Sequence, residues 1–366
     1  MSSASAATSP AGGRSKLESL QAGRGLAALA VLLFHINIIY TTEIDMIDRP
    51  YPILNIGAAG VEYFFVLSGF IIGLIHAGDI GQPEKFGRYA LKRFIRIYPI
   101  FWIILTAFIF AKLAIGRPEA SLDSGLSYFW SYALLPFAKE PPLVAAWTLS
   151  HELLFYAVFG LAILNKRVGS LVFLLWMTAC AVSFLLIGTG FTELQHPFGF
   201  LLADYNLLFG FGVFAASQYR SLTVRGAWTL IGCGLITFVI AGYLMVGADL
   251  SNLELLFGGA AACVVPALVR LEELGCLSVH WSLCRLGDAS YSIYLIHGPA
   301  AVVIAILLVK LGLAAPLGLN GSLLIMGAGA LIAGLLCYQL CERPLLAYLS
   351  KSLLRRPQTE TTQKAS

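Results

Sequence analysis

Ten runs of about twenty largely apolar residues constrain this chain more than any other feature. They cover roughly residues 25–41, 56–77, 97–115, 143–164, 170–190, 197–217, 227–246, 253–269, 289–311 and 321–341. A helix that crosses a membrane needs about 20 such residues. Composition agrees: the 366 residues are 58% hydrophobic and 12% charged, whereas soluble domains run at about 45–50% apolar and about 25% charged. A disordered chain, a coiled coil and an ordinary soluble enzyme are thereby excluded. The expected fold is all-α, an integral membrane protein of about ten transmembrane helices in one bundle. A further stretch, 125–137, holds Tyr128, Phe129, Trp130 and Tyr132. It is too short to span and suits the membrane interface, where amphipathic aromatics sit.

Charge placement then orients the spans. With the N-terminus in the cytoplasm, nineteen of the 24 Lys and Arg residues fall on inner segments and five on outer ones. That bias predicts both termini on the cytoplasmic side. Residues 1–16, rich in Ser, Ala and Gly, read as a disordered cytoplasmic tail. They are not a signal peptide, because the apolar run begins only after Arg24 and no small-residue cleavage site follows it. Residues 17–345 form the transmembrane domain, and 346–366 a basic cytoplasmic tail. The net charge of +4 is too small to suggest nucleic-acid binding. The seven cysteines are scattered, with no CxxC pair and no Cys/His cluster of zinc spacing. No metal site is expected, and the cysteines read as buried small hydrophobes.

Ionisable groups inside a bilayer cost at least about 2.5–3.5 kcal/mol each, which makes them functional candidates. Here they are His35, Glu62, His151, Glu152, Asp204 and His297. Arg24 and His35 are eleven steps apart, almost three helical turns, so they share one face with an axial separation of ~16 Å. This places Arg24 at the cytoplasmic mouth and His35 near the midplane, an arrangement that suits a long ligand with a phosphorylated head and a deep reactive end. Acyl-coenzyme A has that shape. The plainer alternative is a topogenic arginine and a packed histidine. Arg93 and Arg96 share a face at the inner end of the third span, and arginine forks bind phosphate in bidentate fashion. Glu152, about nine residues into the fourth span, lies at a depth similar to His35 and could orient its ring as a general base. His297 is again near the middle of its span. Glu62 and Asp204 lie closer to the outer surface, where they line an outward-facing cavity or pair structurally.

Several segments resemble the signature of the acyltransferase 3 family. They are Arg24 with His35 eleven positions on, Tyr63-Phe-Phe-Val-Leu-Ser68-Gly69-Phe70, Arg93-Phe-Ile-Arg96-Ile-Tyr-Pro99, Trp147-Thr-Leu-Ser-His-Glu152, Ser290-Tyr-Ser-Ile-Tyr-Leu-Ile-His297 and Glu342-Arg-Pro344. Each is weak alone; six in family order are strong together. Within the family the likeness is to exopolysaccharide production proteins, in which Trp-Thr-Leu-x-x-Glu is usual. The resemblance implies a ten-helix enzyme of the bacterial inner membrane. It would move an acetyl or other short acyl group from cytoplasmic acyl-coenzyme A to a hydroxyl of a glycan or glycolipid. Arg24, Arg93 and Arg96 become donor contacts and His35 the essential histidine. Glu152 becomes an active-site acid, with Ser68, Trp147, His297 and Glu342 in support. No permanently bound cofactor is implied, acetyl-coenzyme A or another acyl-coenzyme A being the donor substrate. His151 receives no role. Some members carry an extra periplasmic hydrolase-like domain. The stretch read here has none, so the membrane domain or a partner performs the final transfer.

The resulting expectation is that His35, oriented by Glu152, deprotonates the acceptor hydroxyl or first takes the acyl group itself. Its ring must be neutral to do either. The competing reading is a proton-coupled secondary transporter of a sugar or small molecule, since buried His and Glu also serve as proton relays. Against it, no repeat relates the two halves of the chain.

Overall fold

A computed structural model describes residues 17–44, 50–114, 116, 119–136, 141–188, 197–248, 250 and 252–354. Every regular element among them is helical. Ten helical segments are long and apolar enough to cross a membrane: Glu18–Glu43, Pro52–Asp79, Pro83–Ala114, Ala146–Leu164, Lys166–Ile187, Phe198–Ser221, Val224–Gly247, Glu254–Glu273, Ser290–Lys310 and Ala314–Leu353. The chain is a multi-pass membrane protein. The expected tail at 1–16 lies outside the described residues, as do Arg49, Arg117 and Lys139 among the outer basic residues.

The first span is one continuous helix, α1 (Glu18–Glu43). Its N-terminus is capped from a distance: the Glu272 carboxylate accepts the N–H groups of Glu18 and Ser19 at 2.7 and 2.8 Å. A carboxylate there meets both unsatisfied N–H groups and the positive end of the helix dipole. The second span enters through a 3₁₀ turn (Pro52–Ala59) and continues as α2 (Gly60–His76). The third, α3 (Phe86–Ala114), begins well before the apolar run at 97. The charges of Arg88, Lys92, Arg93 and Arg96 hid its first turns from a count of apolar residues. The short interfacial stretch is α4 (Gly125–Ala133), tied to α3 by Trp102 Nε1 donating to the Tyr132 carbonyl at 2.8 Å.

Next come α5 (Ala146–Leu164) and α6 (Lys166–Ile187). The sixth span is broken: α7 (Phe198–Leu201) stops, and α8 (Tyr205–Gln218) restarts with the Asp204 carboxylate accepting the Tyr205 N–H at 2.9 Å. The remaining helices are α9 (Val224–Gly247), α10 (Glu254–Glu273), α11 (Trp281–Asp288), α12 (Ser290–Lys310), α13 (Ala314–Cys337) and α14 (Arg343–Leu353). A π-turn at Tyr338–Glu342 joins the last two.

Helix α1 packs on α11, α12 and α2, whereas α5 packs on α6 and α3. Helices α2 and α8 cross closely. A Cβ on Gly69 would lie 2.1 Å from the Phe209 carbonyl oxygen, and one on Gly212 would lie 2.0 Å from that of Val66. Only glycine permits this approach, which is how small residues let helices associate where lipid removes the hydrophobic drive. Helices α6 and α9 bury little of themselves in protein and present apolar faces outward. This also corrects the expectation for cysteine. All seven are free, but only Cys180 is buried, and Cys233 and Cys276 are exposed. In an apolar surrounding, an apolar position need not be interior.

Candidate active site

A cavity of about 540 Å³ opens among α1, α2, α3, α5, α12 and α14. Five of the residues singled out in the sequence line it: Arg24, Ser68, Arg93, Arg96 and Glu152. They come from four helices. The crossing of α2 and α8 at Gly69 sets Ser68 in its wall, and the charged first turns of α3 deliver the two arginines.

The three guanidinium groups are held differently. Among the described residues, no hydrogen bond or ion pair ties down the Arg24 side chain. The Arg93 guanidinium lies over the Tyr156 ring at 5.5 Å, and its Nε is buried with no hydrogen-bond partner. Arg96 already has a partner: its Nη1 donates to Glu342 Oε1 at 2.9 Å, and it lies 5.1 Å from the Tyr291 ring. Glu342 is fully buried, and its second oxygen accepts the N–H and Oγ–H of Ser292 at 3.2 and 2.6 Å. Arg96 was expected to serve the donor alone; part of its fork is committed to this ion pair. The π-turn swings Glu342 inward. Pro344, two residues on, brings no N–H to the helical ladder, which favours such a wide turn. That local cause was visible in the sequence; the turn it produces was not.

Glu152 accepts hydrogen bonds from Ser68 Oγ at 2.9 Å and from Tyr156 Oη at 2.5 Å. Tyr156 was missed, although its spacing four residues after Glu152 on one helix was a usable signal. Lys92, Ser290, Tyr291 and Tyr294 also line the cavity; the last three fall within the Ser290–His297 segment, but none was given a role.

His35 and His297 do not line this cavity. Their rings contact each other, with centroids 4.8 Å apart. The His35 Nδ1 is 2.9 Å from the Val31 carbonyl oxygen, and the His297 Nδ1 is 3.1 Å from that of Ile293. A carbonyl can only accept, so Nδ1 carries the proton in each neutral ring and both Nε2 atoms keep a lone pair. The His297 Nε2 is buried and unpartnered. Tyr294 touches both the cavity and this pair. It lines the cavity, its ring lies 6.0 Å from that of His297, and its hydroxyl is 2.9 Å from Thr148 Oγ1.

The expected pairing of Glu152 with His35 is therefore not formed. Matched depth fixes how far along two helices a contact lies, not whether their faces turn toward each other. The Glu152 carboxylate turns to α2 and to its own helix, while His35 turns to α12. Trp147 also lies apart from the cavity lining, its ring 5.1 Å from that of Tyr205 and 6.0 Å from that of Phe65. His151 bonds Asn206 at 2.9 Å within the protein. Glu62 and Asp204 are buried and do not line this cavity. Among the described residues, no group of three or more His, Cys, Asp or Glu is arranged to hold a metal ion.

Comparison with known proteins shows the family. The acyltransferase domain family matches residues 17–340. The exopolysaccharide production protein ExoZ of Rhizobium meliloti (strain 1021) is 34% identical over 307 residues, covering 80% of this chain and 90% of that protein. The acyltransferase MdmB of Streptomyces mycarofaciens is 27% identical over 321 residues, 77% of this chain and 78% of that protein. No solved structure matches the chain. The transporter alternative falls with these findings, because the match covers nearly the whole span-bearing region. The chain belongs to the acyltransferase 3 family and is a membrane acyltransferase.

Proposed function

We propose that this protein transfers an acetyl or other short acyl group from acyl-coenzyme A, supplied on the cytoplasmic side of a bacterial inner membrane, to a hydroxyl of a cell-surface or exported glycan or glycolipid. The observation that carries the donor assignment is the gathering of Arg24, Arg93 and Arg96 in one cavity, with the Arg24 side chain and the Arg93 Nε unpartnered among the described residues. Guanidinium groups of this kind suit the phosphates of coenzyme A. The acceptor class rests on the resemblance to an exopolysaccharide production protein. A polysaccharide acceptor facing outward leaves its capture to the membrane domain or to a partner protein.

In this scheme the phosphates bind at Arg24 and Arg93, and the pantetheine arm runs along the cavity past Ser68 and Glu152. The thioester passes Tyr294, which lines the cavity beside His297, to bring its carbonyl to the Nε2 of His35. That nitrogen then acts in one of two balanced ways. As a base, it takes the acceptor hydroxyl proton while the oxygen attacks the thioester carbonyl, and the coenzyme A thiolate leaves and is reprotonated. As a carrier, it attacks the carbonyl itself and expels the thiolate. The acceptor hydroxyl then attacks the acyl-imidazole, its proton passes to the coenzyme A thiolate, and His35 is regenerated with its Nε2 lone pair. Glu152 keeps the Ser68 and Tyr156 hydroxyls in place rather than orienting the imidazole. Shelter from water protects the thioester from hydrolysis.

The test is acyl-coenzyme A-dependent labelling of the host glycan in membranes with matched protein levels. His35→Ala and His35→Gln should each abolish labelling, the second keeping the packing but lacking the basic nitrogen. Undiminished labelling by both would refute the assignment.

A further inference from the structure

The family match stops at residue 340, yet the cavity wall does not. Leu346, Ser350 and Leu354 line the cavity and follow one another at four-residue spacing, so they form one stripe along α14 and its last turn. The helix packs on α3, which carries Lys92, Arg93 and Arg96 into the same cavity. On the opposite face Tyr348 is turned outward and exposed; of the stripe, Leu346 and Leu354 are half-buried and Ser350 is open to solvent at the cavity mouth.

The placement of α14 is set by the site itself. Glu342, the last residue before the helix, is held fully buried by Arg96 and Ser292. Arg343 then starts α14 and donates to Gln339 Oε1 at 3.3 Å across the π-turn. The stripe therefore has a defined register relative to the arginines. It offers one hydroxyl between two leucines, next to the cationic end of the cavity. That is the chemistry of a wall against which a nucleoside phosphate rests, with apolar surface for the base or pantetheine arm and a donor for a phosphate or ribose oxygen.

We propose that α14 is part of the donor site, and that Leu346 and Ser350 contact the nucleotide end of acyl-coenzyme A. This rests on the reading of the cavity as the donor site. It adds that residues beyond the matched family domain set donor affinity.

Two measurements test it. The first is the kinetics of transfer at varied acetyl-coenzyme A. Leu346→Trp and Ser350→Trp should each raise the KM for acetyl-coenzyme A about tenfold, equivalent to about 1.4 kcal/mol, and leave kcat within about twofold. Tyr348→Trp, on the outward face, should leave both unchanged. An unchanged KM in the two cavity-face variants, or an equal rise in Tyr348→Trp, overturns the proposal.

The second needs no turnover. Ser350→Cys should react with a maleimide above the background of the wild-type protein's seven cysteines, and coenzyme A should slow that added reaction several-fold. Labelling at the same rate with and without coenzyme A, in a variant that still transfers acyl groups, overturns the proposal and leaves the reading of the cavity standing.

Discussion

Arg24 and Arg96 began as equivalent cations and ended in different states. The difference governs what each substitution does. Arg24 has no partner among the described residues, so its positive charge is available to a ligand. Arg24→Ala should weaken acyl-coenzyme A binding by about 1.5–3 kcal/mol, the worth of a charge-assisted hydrogen bond, while insertion into the membrane is unaffected. Arg24→Lys should recover only part, because an ammonium cannot form the two-pronged contact. Equilibrium binding of labelled acetyl-coenzyme A to the purified protein checks both. Arg96, in contrast, is a structural partner of Glu342. Glu342→Ala leaves Arg96 and Ser292 without their acceptor. Because the Arg96 side chain is 30% exposed, water shares its charge and the loss should be about 2 kcal/mol, below the about 3–5 kcal/mol of a wholly buried pair. A lowered unfolding temperature in detergent would register it, and Glu342→Gln, which keeps an acceptor for Ser292, should lose less. At this scale the sequence was most legible for residues whose role follows from their own helix. Depth and face placed Arg24, Arg93, Arg96 and Glu152 correctly enough to find the cavity. Partners on other helices were not legible. His35 met His297 and not Glu152, because that depends on which helices are neighbours and how each is rotated.

The helices carry information that hydropathy alone does not. Ten apolar runs correspond to ten spans, and the pattern failed only where physics other than hydropathy acts. Helix α3 continues through its charged turns because long basic side chains can reach the cavity or the interface without breaking the backbone ladder. The sixth span breaks at Asp204, where a carboxylate caps a new helix start. Gly69 offers the sharpest test of packing between elements. A single added carbon, Gly69→Ala, would sit 2.1 Å from the Phe209 carbonyl and must push α2 away from α8. The expected cost is about 1–3 kcal/mol, as for overpacking in a tight interior. It should appear as a lower unfolding temperature together with reduced transfer, since Ser68 moves with α2. An unchanged unfolding temperature would mean that the crossing is looser than the structure has it.

Across the whole molecule, the start of α1, the charged first turns of α3 and the helix α14 gather at the end of the protein where the cavity's arginines lie. An even number of spans puts both ends of the spanning region on that same side. We propose that this side is the cytoplasmic one, as the 19:5 division of basic residues predicts. Reporter fusions after Ser366 and within residues 45–55 should therefore report opposite sides, the first cytoplasmic; the same side for both would contradict the topology. The central claim joins this orientation to the chemistry: the donor enters from the side of the arginines and His35 carries out the transfer. Sealed vesicles of opposite orientation, given isotope-labelled acetyl-coenzyme A that cannot cross the membrane, test it most directly. The account predicts labelled glycan only when the donor meets the face that bears the chain termini, and none on either face with His35→Ala. Equal labelling from the opposite face, or labelling that survives His35→Ala, would contradict it.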